Sequence, residues 1–473
     1  MQESALTGGN GDGAVSDDKN PHRSWDLEQY KLGGGKRKTP FKPQNDDEID
    51  ELDHGWAQFA GDGAPPKMGV YYKADGNPLF LVALGTALLS IVTLGFYRFW
   101  MIARLRRHYW NSVRFQGDPL EYTGTGLEKL LGFLLAIMIL AVYLGTVQLA
   151  LTFIGVSYFD GNPLALQLSV LAVVPFIFWA TYRARRYLAA RTRWRGIRFG
   201  METGAWGYMG RSLGLSFLTL ITAGIAWPYQ DFKQTKYMVD RTWFGDLKFE
   251  QDGSWLGLFS QWIWIYIAIA MMGLVLWGAA TNGDDMMGQA LAGGVIAFGY
   301  FLLFYLYMRY RMWAVRYLWD NRTLGDTTFE NALAVNATVW TYMGGAVIVG
   351  LSTALVAVVL FGAFFGAWAL SASDTQMAEL ARLMQGGARP DIDKIMSAAG
   401  LLVGLVAIYL VVFAAAYAFT QSFLIQPILR RQVEATTVRN SAALMDARQR
   451  EEDSAIEAGG FADALGVDVG VGV

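Results

Sequence analysis

Long uncharged apolar runs separated by short polar clusters fill most of the chain. The runs cover roughly 79–99, 130–156, 164–181, 212–228, 255–280, 289–308, 340–371 and 398–426, and only Arg98, at the edge of the first, is ionisable. A helix rises 1.5 Å per residue, so about 20 residues cross about 30 Å of hydrocarbon. Most of the runs meet that length. The segment 212–228 is a marginal crossing, because it is short, carries Ser216, Thr219, Thr222 and Gly224, and ends at Pro228. The pattern predicts an all-α polytopic membrane protein and excludes an ordinary soluble domain.

The polar clusters between the runs recur. Each holds basic residues, a Tyr, then about eight residues to Gly-Asp and an aromatic. The copies read Arg106-Arg107-His108-Tyr109 to Gly117-Asp118, Lys233 and Lys236-Tyr237 to Gly245-Asp246, and Arg316-Tyr317 to Gly325-Asp326. A further copy, Arg183 and Arg186-Tyr187 to Gly196, lacks the Asp and is slipped by one residue. Alternating β-prone residues flank Gly245-Asp246 and Gly325-Asp326, which suits a two-residue type II′ hairpin; Pro119 weakens that reading at Gly117-Asp118. Isolated hairpins are marginal, so several are expected to pair into one small sheet. Matches such as Thr93-Leu94-Gly95-Phe96 with Thr222-Ala223-Gly224-Ile225 indicate an internal duplication of about 129 residues. The expected organisation is an acidic arm (1–77), membrane repeats (78–207 and 208–338), a transmembrane hairpin (339–426) and a cytoplasmic helix with a Gly-rich tail (427–473).

Charge decides the topology. The arm 1–77 has nine basic and fourteen acidic residues and reads as disordered, the tail 427–473 has five and eight, and the body between them has 25 and 19. No charged segment followed by an apolar one opens the chain, so no cleaved signal peptide is expected and the first buried segment directs insertion. Eight crossings would leave only 17 of the 25 body cations in the cytoplasm. Making 79–99 and 212–228 re-entrant or interfacial places 22 there, with both termini inside. The positive-inside rule therefore favours six crossings plus two half-inserted segments.

Thr93-Leu94-Gly95-Phe96-Tyr97-Arg98-Phe99-Trp100, Arg104-Leu105-Arg106-Arg107-His108-Tyr109-Trp110, Tyr122-Thr123-Gly124-Thr125-Gly126, Thr192-Arg193-Trp194-Arg195-Gly196-Ile197-Arg198-Phe199 and Trp243-Phe244-Gly245-Asp246-Leu247 resemble the YjgN-like family of bacterial inner-membrane proteins. The likeness covers about 78–425. It implies a bacterial cytoplasmic-membrane location and no particular activity, since the family's function is unknown.

The chemistry legible in the residues is sparse. With no Cys and three His, disulfides, thiol nucleophiles and the usual zinc sites are excluded. No metal or cofactor and no nucleic-acid partner is expected. The clusters Arg106, Arg107, Tyr109, Arg183, Arg186, Tyr187, Lys233, Lys236, Tyr237, Arg311, Arg316 and Tyr317 are candidates for anionic headgroups of membrane lipids, weighed against a role in orientation alone. Asp118, Asp246 and Asp326 read as turn residues, His108 as a surface residue, and Trp255, Trp262 and Trp264 as a belt. Gly362, Gly366, Gly400 and Gly404 give small faces that suit close helix packing, or a homo-oligomer. The absence of ionisable groups inside the spans disfavours a proton-coupled carrier. The expected function is a non-enzymatic membrane-organising, lipid-interacting or assembly component, with a transporter or lipid-translocating protein as the alternative.

Overall fold

A computed structural model describes residues 67–73, 79–158, 173–282, 286–371 and 392–450. Its central feature is a closed barrel of ten short antiparallel strands, from which pairs of helices depart and to which they return. The first strand, β1 (Lys67–Tyr72), leads into α1 (Leu79–Val92) and α2 (Arg98–Ser112), which return to β2 (Val113–Phe115) and β3 (Asp118–Tyr122). The pair α3 (Gly126–Tyr158) and α4 (Val173–Arg191) delivers β4 (Thr192–Trp194) and β5 (Ile197–Met201). The pair α5 (Ala205–Ile221) and α6 (Trp227–Val239) delivers β6 (Thr242–Phe244) and β7 (Leu247–Gln251). Helices α7 (Trp255–Asn282) and α8 (Met286–Asp320) lead to β8 (Arg322–Leu324) and β9 (Thr327–Asn331). Last come α9 (Val335–Ser371), α10 (Ile392–Phe419), a π-helical turn at Thr420–Ile425, α11 (Gln426–Glu434), β10 (Thr436–Arg439) and the short α12 (Ala442–Met445).

The chain is mainly helical, as expected, and its small hairpins join into one closed barrel. Each three-residue strand pairs with the five-residue strand that follows it, and neighbouring pairs join edge to edge. The circle closes where β1 pairs with β10 on one side and with β2 on the other. Closure leaves no edge strand open, which is how a sheet of such short strands avoids pairing with other chains. The two-residue turns are of two kinds. Gly245 and Gly325 have φ of 56° and 55° while Asp246 and Asp326 keep negative φ, as a type II′ turn requires. Gln116-Gly117 and Arg195-Gly196 have both residues at positive φ, a type I′ turn. Asp118 therefore starts β3, opposite Phe115, instead of sitting in the turn. The same difference explains the slip at Gly196.

Among the described residues, five helices are long and apolar enough to cross a membrane: Gly126–Tyr158, Trp255–Thr281, Ala292–Asp320, Val335–Leu370 and Leu402–Glu434. Most of their apolar surface is exposed, as lipid-facing helices require. The candidate run 164–181 lies partly outside the described residues. The runs 79–99 and 212–228 do not continue as straight helices. After Val92 and after Ile221 the chain reverses through matching turns, with Leu94 and Ala223 at positive φ followed by Gly95 and Gly224. Gly95 N–H donates to Ser90 O (2.6 Å) and Gly224 N–H to Thr219 O (2.7 Å), the closing bond of a Schellman cap. Thr93 and Thr222 reinforce it, each hydroxyl donating to a carbonyl four residues back and accepting the N–H four residues on. The tips are apolar and bare: Leu94 is 91% exposed and Leu220 77%.

Gly404 meets Phe364 of α9, where an added methyl group would lie 2.4 Å from the ring, so it serves packing within the chain. Gly362 and Gly366 face open space, and the surroundings of Gly400 lie outside the described residues.

Candidate ligand cavity within the barrel

The basic clusters sit where each returning helix joins its strand, and most of them act as latches. Arg107, Arg186, Lys236 and Arg316 each stand six residues before a short strand. They donate to backbone carbonyls at the far end of the following strand pair: Arg107 to Gly124 (3.1 Å), Arg186 to Met201 (3.0 Å), Arg316 to Leu333 (3.4 Å) and Lys236 to Gln251. Tyr187, Tyr237 and Tyr317, one residue later, reach the start of the outgoing helix of their own pair. Their hydroxyls donate to Glu128 Oε2, Gly204 O and Ser254 O, each at 3.0 Å. His108 occupies that position in the first unit. Tyr109 is displaced by one residue and turns inward, donating to Gln421 Oε1 at 2.7 Å. Burial raises its phenol pKa well above the ordinary value.

The remaining candidates lie on aromatic faces or at the surface. Arg106 stacks over Tyr122 (5.9 Å), Arg183 over Trp179 (5.1 Å) and Lys233 over Tyr229 (5.5 Å). Arg311 is exposed, and its charge bears on Asp231. Of the twelve, Lys233, Lys236 and Tyr237 come together in a pocket of about 550 Å³ at the base of the α5–α6 pair, with Arg211, Arg241 and Asp240. Asp118 pairs with Arg195, and Asp246 accepts Arg448 N–H at 2.9 Å. Asp326 offers its carbonyl to Asn440 Nδ2 at 3.1 Å.

The larger chemical signal is inside the barrel. Alternation along the strands turns Phe115, Leu120, Trp194, Phe199, Phe244, Phe249, Leu324, Phe329, Val438 and Val70, one from each strand, into its waist. They surround a cavity of about 280 Å³. At its turn end the segment after β10 forms a cap. Leu444 and Ala447 pack into the apolar core, while Gln449 Oε1 accepts Arg198 N–H at 2.7 Å. At the helix end the rim is set by residues three before each short strand: Trp110, Ala189, Val239, Trp319 and Val433.

Two arginines face this space. The first residue of each short strand points inward, and the set is Val113, Thr192, Thr242, Arg322 and Thr436. Three of the five are threonines whose hydroxyls donate back to a helix carbonyl. Arg322 breaks the pattern. Its Nε donates to Gln251 Oε1 at 3.3 Å and its guanidinium lies 4.2 Å from the Trp319 ring centre. Arg185, from α4, lines the same cavity and makes no hydrogen bond or ion pair among the described residues. No carboxylate lines the cavity. Burial, and then the charge of Arg185, lower the Arg322 pKa to about 9. Sequence spacing singled out Arg183, Arg186, Arg316 and Tyr317 and passed over both of these; the signal for Arg322 is that the other units place Thr or Val there.

Residues 67–356 match a family described as "Bacterial protein of unknown function (DUF898)". The chain belongs to this family. The DUF898 chain is 26% identical over 141 residues to the inner membrane protein YjgN of Salmonella typhimurium, covering 29% of this chain and 33% of the relative. It is 24% identical over 168 residues to YjgN of Escherichia coli K12, covering 36% and 39%. The chain thus spans about a third of the length of these relatives. No solved structure matches it. The relatives' names and the apolar helices make the DUF898 chain a multi-pass membrane protein.

Proposed function

We propose that the chain is a non-enzymatic, lipid-interacting protein of the bacterial inner membrane, with its barrel and both termini in the cytoplasm. The observation that carries this reading is connectivity: every helical pair starts and ends on the barrel. A helix that leaves one face and returns to it crosses twice or not at all. Three long pairs supply six crossings. The two short pairs, α1–α2 and α5–α6, enter the near leaflet by their bare apolar tips. The barrel then lies on the side that holds the basic clusters, as the positive-inside rule requires. The pocket of Arg211, Lys233, Lys236 and Arg241 at the base of one short pair supports contact with anionic headgroups. The equivalent Schellman turns and latches support an internal duplication in parallel orientation.

The absence of native cysteine permits a direct test. Gln116→Cys and Asp326→Cys place thiols at barrel turns, and Thr281→Cys places one at the far end of α7. In intact cells a membrane-impermeant maleimide is expected to label position 281 and to label 116 and 326 only after permeabilisation. Labelling of 326 from outside with 116 protected means eight crossings, and the reading fails.

A further inference from the structure

Burying an unpaired cation is costly, so buried arginines normally face carboxylates or saturate their donors on carbonyls. Arg322, which is buried, and the half-buried Arg185 line the barrel cavity and do neither. Arg322 uses Nε on Gln251, and its terminal nitrogens have no hydrogen-bond partner among the described residues. Arg185 has Tyr208 as its electrostatic neighbour, a phenol that is neutral at pH 7. A site built for nothing would place Thr at position 322, as three sister strands do. Donors without acceptors, gathered around one space, fit an anion that is absent from the chain itself.

The rest of the wall defines what the anion is attached to. Below the arginines the lining includes Phe115, Phe199, Phe244, Phe249 and Phe329, with Leu444 at the turn end. Its volume is far above the roughly 10–15 Å³ that one water needs, yet its lining offers water almost no partners. At about 280 Å³ the cavity is on the scale of one hydrocarbon chain.

We propose that the barrel cavity binds a single-chain anionic amphiphile, its carboxylate or phosphate head held by Arg185 and Arg322 and its hydrocarbon chain lying along the aromatic waist. Planar guanidinium groups suit both head types, since each offers parallel N–H donors to paired oxygens. The proposal rests on the lipid-interacting reading only in that a bilayer supplies such molecules. Topology is scored by thiol labelling, so the two ideas fail separately.

The experiment uses the full chain in nanodiscs of neutral phosphatidylcholine, with radiolabelled palmitate as probe and lysophosphatidate, hexadecanol and inorganic phosphate as competitors. One palmitate is expected per chain. The variant Arg185→Gln with Arg322→Gln is expected to weaken palmitate and lysophosphatidate by at least about tenfold, as loss of charge-assisted bonds requires, while hexadecanol competes as before. Ala189→Trp supplies at the rim the residue found at Trp110 and Trp319, and should exclude all three. The better competitor of palmitate and lysophosphatidate identifies the head as carboxylate or phosphate. The empty double variant should melt no lower than the parent, because it removes uncompensated charge. Binding that is absent, that survives the double variant or Ala189→Trp, or that inorganic phosphate displaces as well as lysophosphatidate overturns the proposal.

Discussion

The hydroxyl of Tyr317 donates to Ser254 O and accepts Ser254 N–H, tying the end of α8 to the start of α7. Tyr317→Phe removes both bonds at an exposed site, a loss of about 0.5–1.5 kcal/mol, and is expected to lower the melting temperature of the detergent-solubilised protein. Asp231 gives a prediction with a pH signature. Its carboxyl pKa is raised above 3.8, chiefly by burial, against the opposing effects of Arg311 and of the Tyr310 hydroxyl donating at 2.9 Å. The folded state therefore binds this proton more tightly than the unfolded chain, and ionisation costs stability as pH rises above the ordinary carboxylate range. Asp231→Asn is expected to melt higher than the parent at pH 7, with the difference shrinking as pH falls towards 3.8. At this scale the sequence showed the recurrence of Arg and Tyr but not its purpose. The acceptors are backbone carbonyls 15 to 17 residues away for Arg107, Arg186 and Arg316, and carbonyls leave no mark in a residue pattern. Arg183, Arg185 and Arg186 share one helix, and their different directions arise from about 100° of rotation per residue.

Among the elements, the barrel turns are not equivalent. A methyl group on Gly245 would lie 2.4 Å from Arg448 O in the capping segment, whereas one on Gly325 meets only the Leu247 side chain at 3.2 Å. Both glycines have positive φ, so Gly245→Ala and Gly325→Ala share a backbone penalty and differ in the contact. Gly245→Ala is expected to loosen the segment after β10 and speed its removal by protease, while Gly325→Ala leaves that segment protected. The apolar runs announced the long helices because hydrophobicity and length are written locally. They hid the reversals after Val92 and Ile221, since Leu94 and Ala223 are apolar and only the following Gly betrays the cap. Hydropathy also could not see β1 and β10. Their strand pair is split between distant parts of the chain and has no turn of its own to recognise.

For the molecule as a whole, the barrel is the hub that sets every helical pair. Its closure is directly testable, because Lys67 stands opposite Arg439 across the β1–β10 seam. Lys67→Cys with Arg439→Cys is expected to form a disulfide on mild oxidation, to change mobility on a denaturing gel as a ring does, and to raise the melting temperature. Failure to cross-link would mean an open sheet. The seam also has a consequence during biosynthesis. The strand β1 emerges from the ribosome long before β10, and at 5–20 residues per second the interval between Lys67 and Arg439 is roughly 20 to 75 s. Throughout that time one side of the nascent sheet presents unmet N–H and C=O groups, a template for any extended chain nearby. Yield of this protein in a cell is therefore expected to fall as that interval lengthens, so slow codons between those for Lys67 and Arg439 should cost more than slow codons before Lys67.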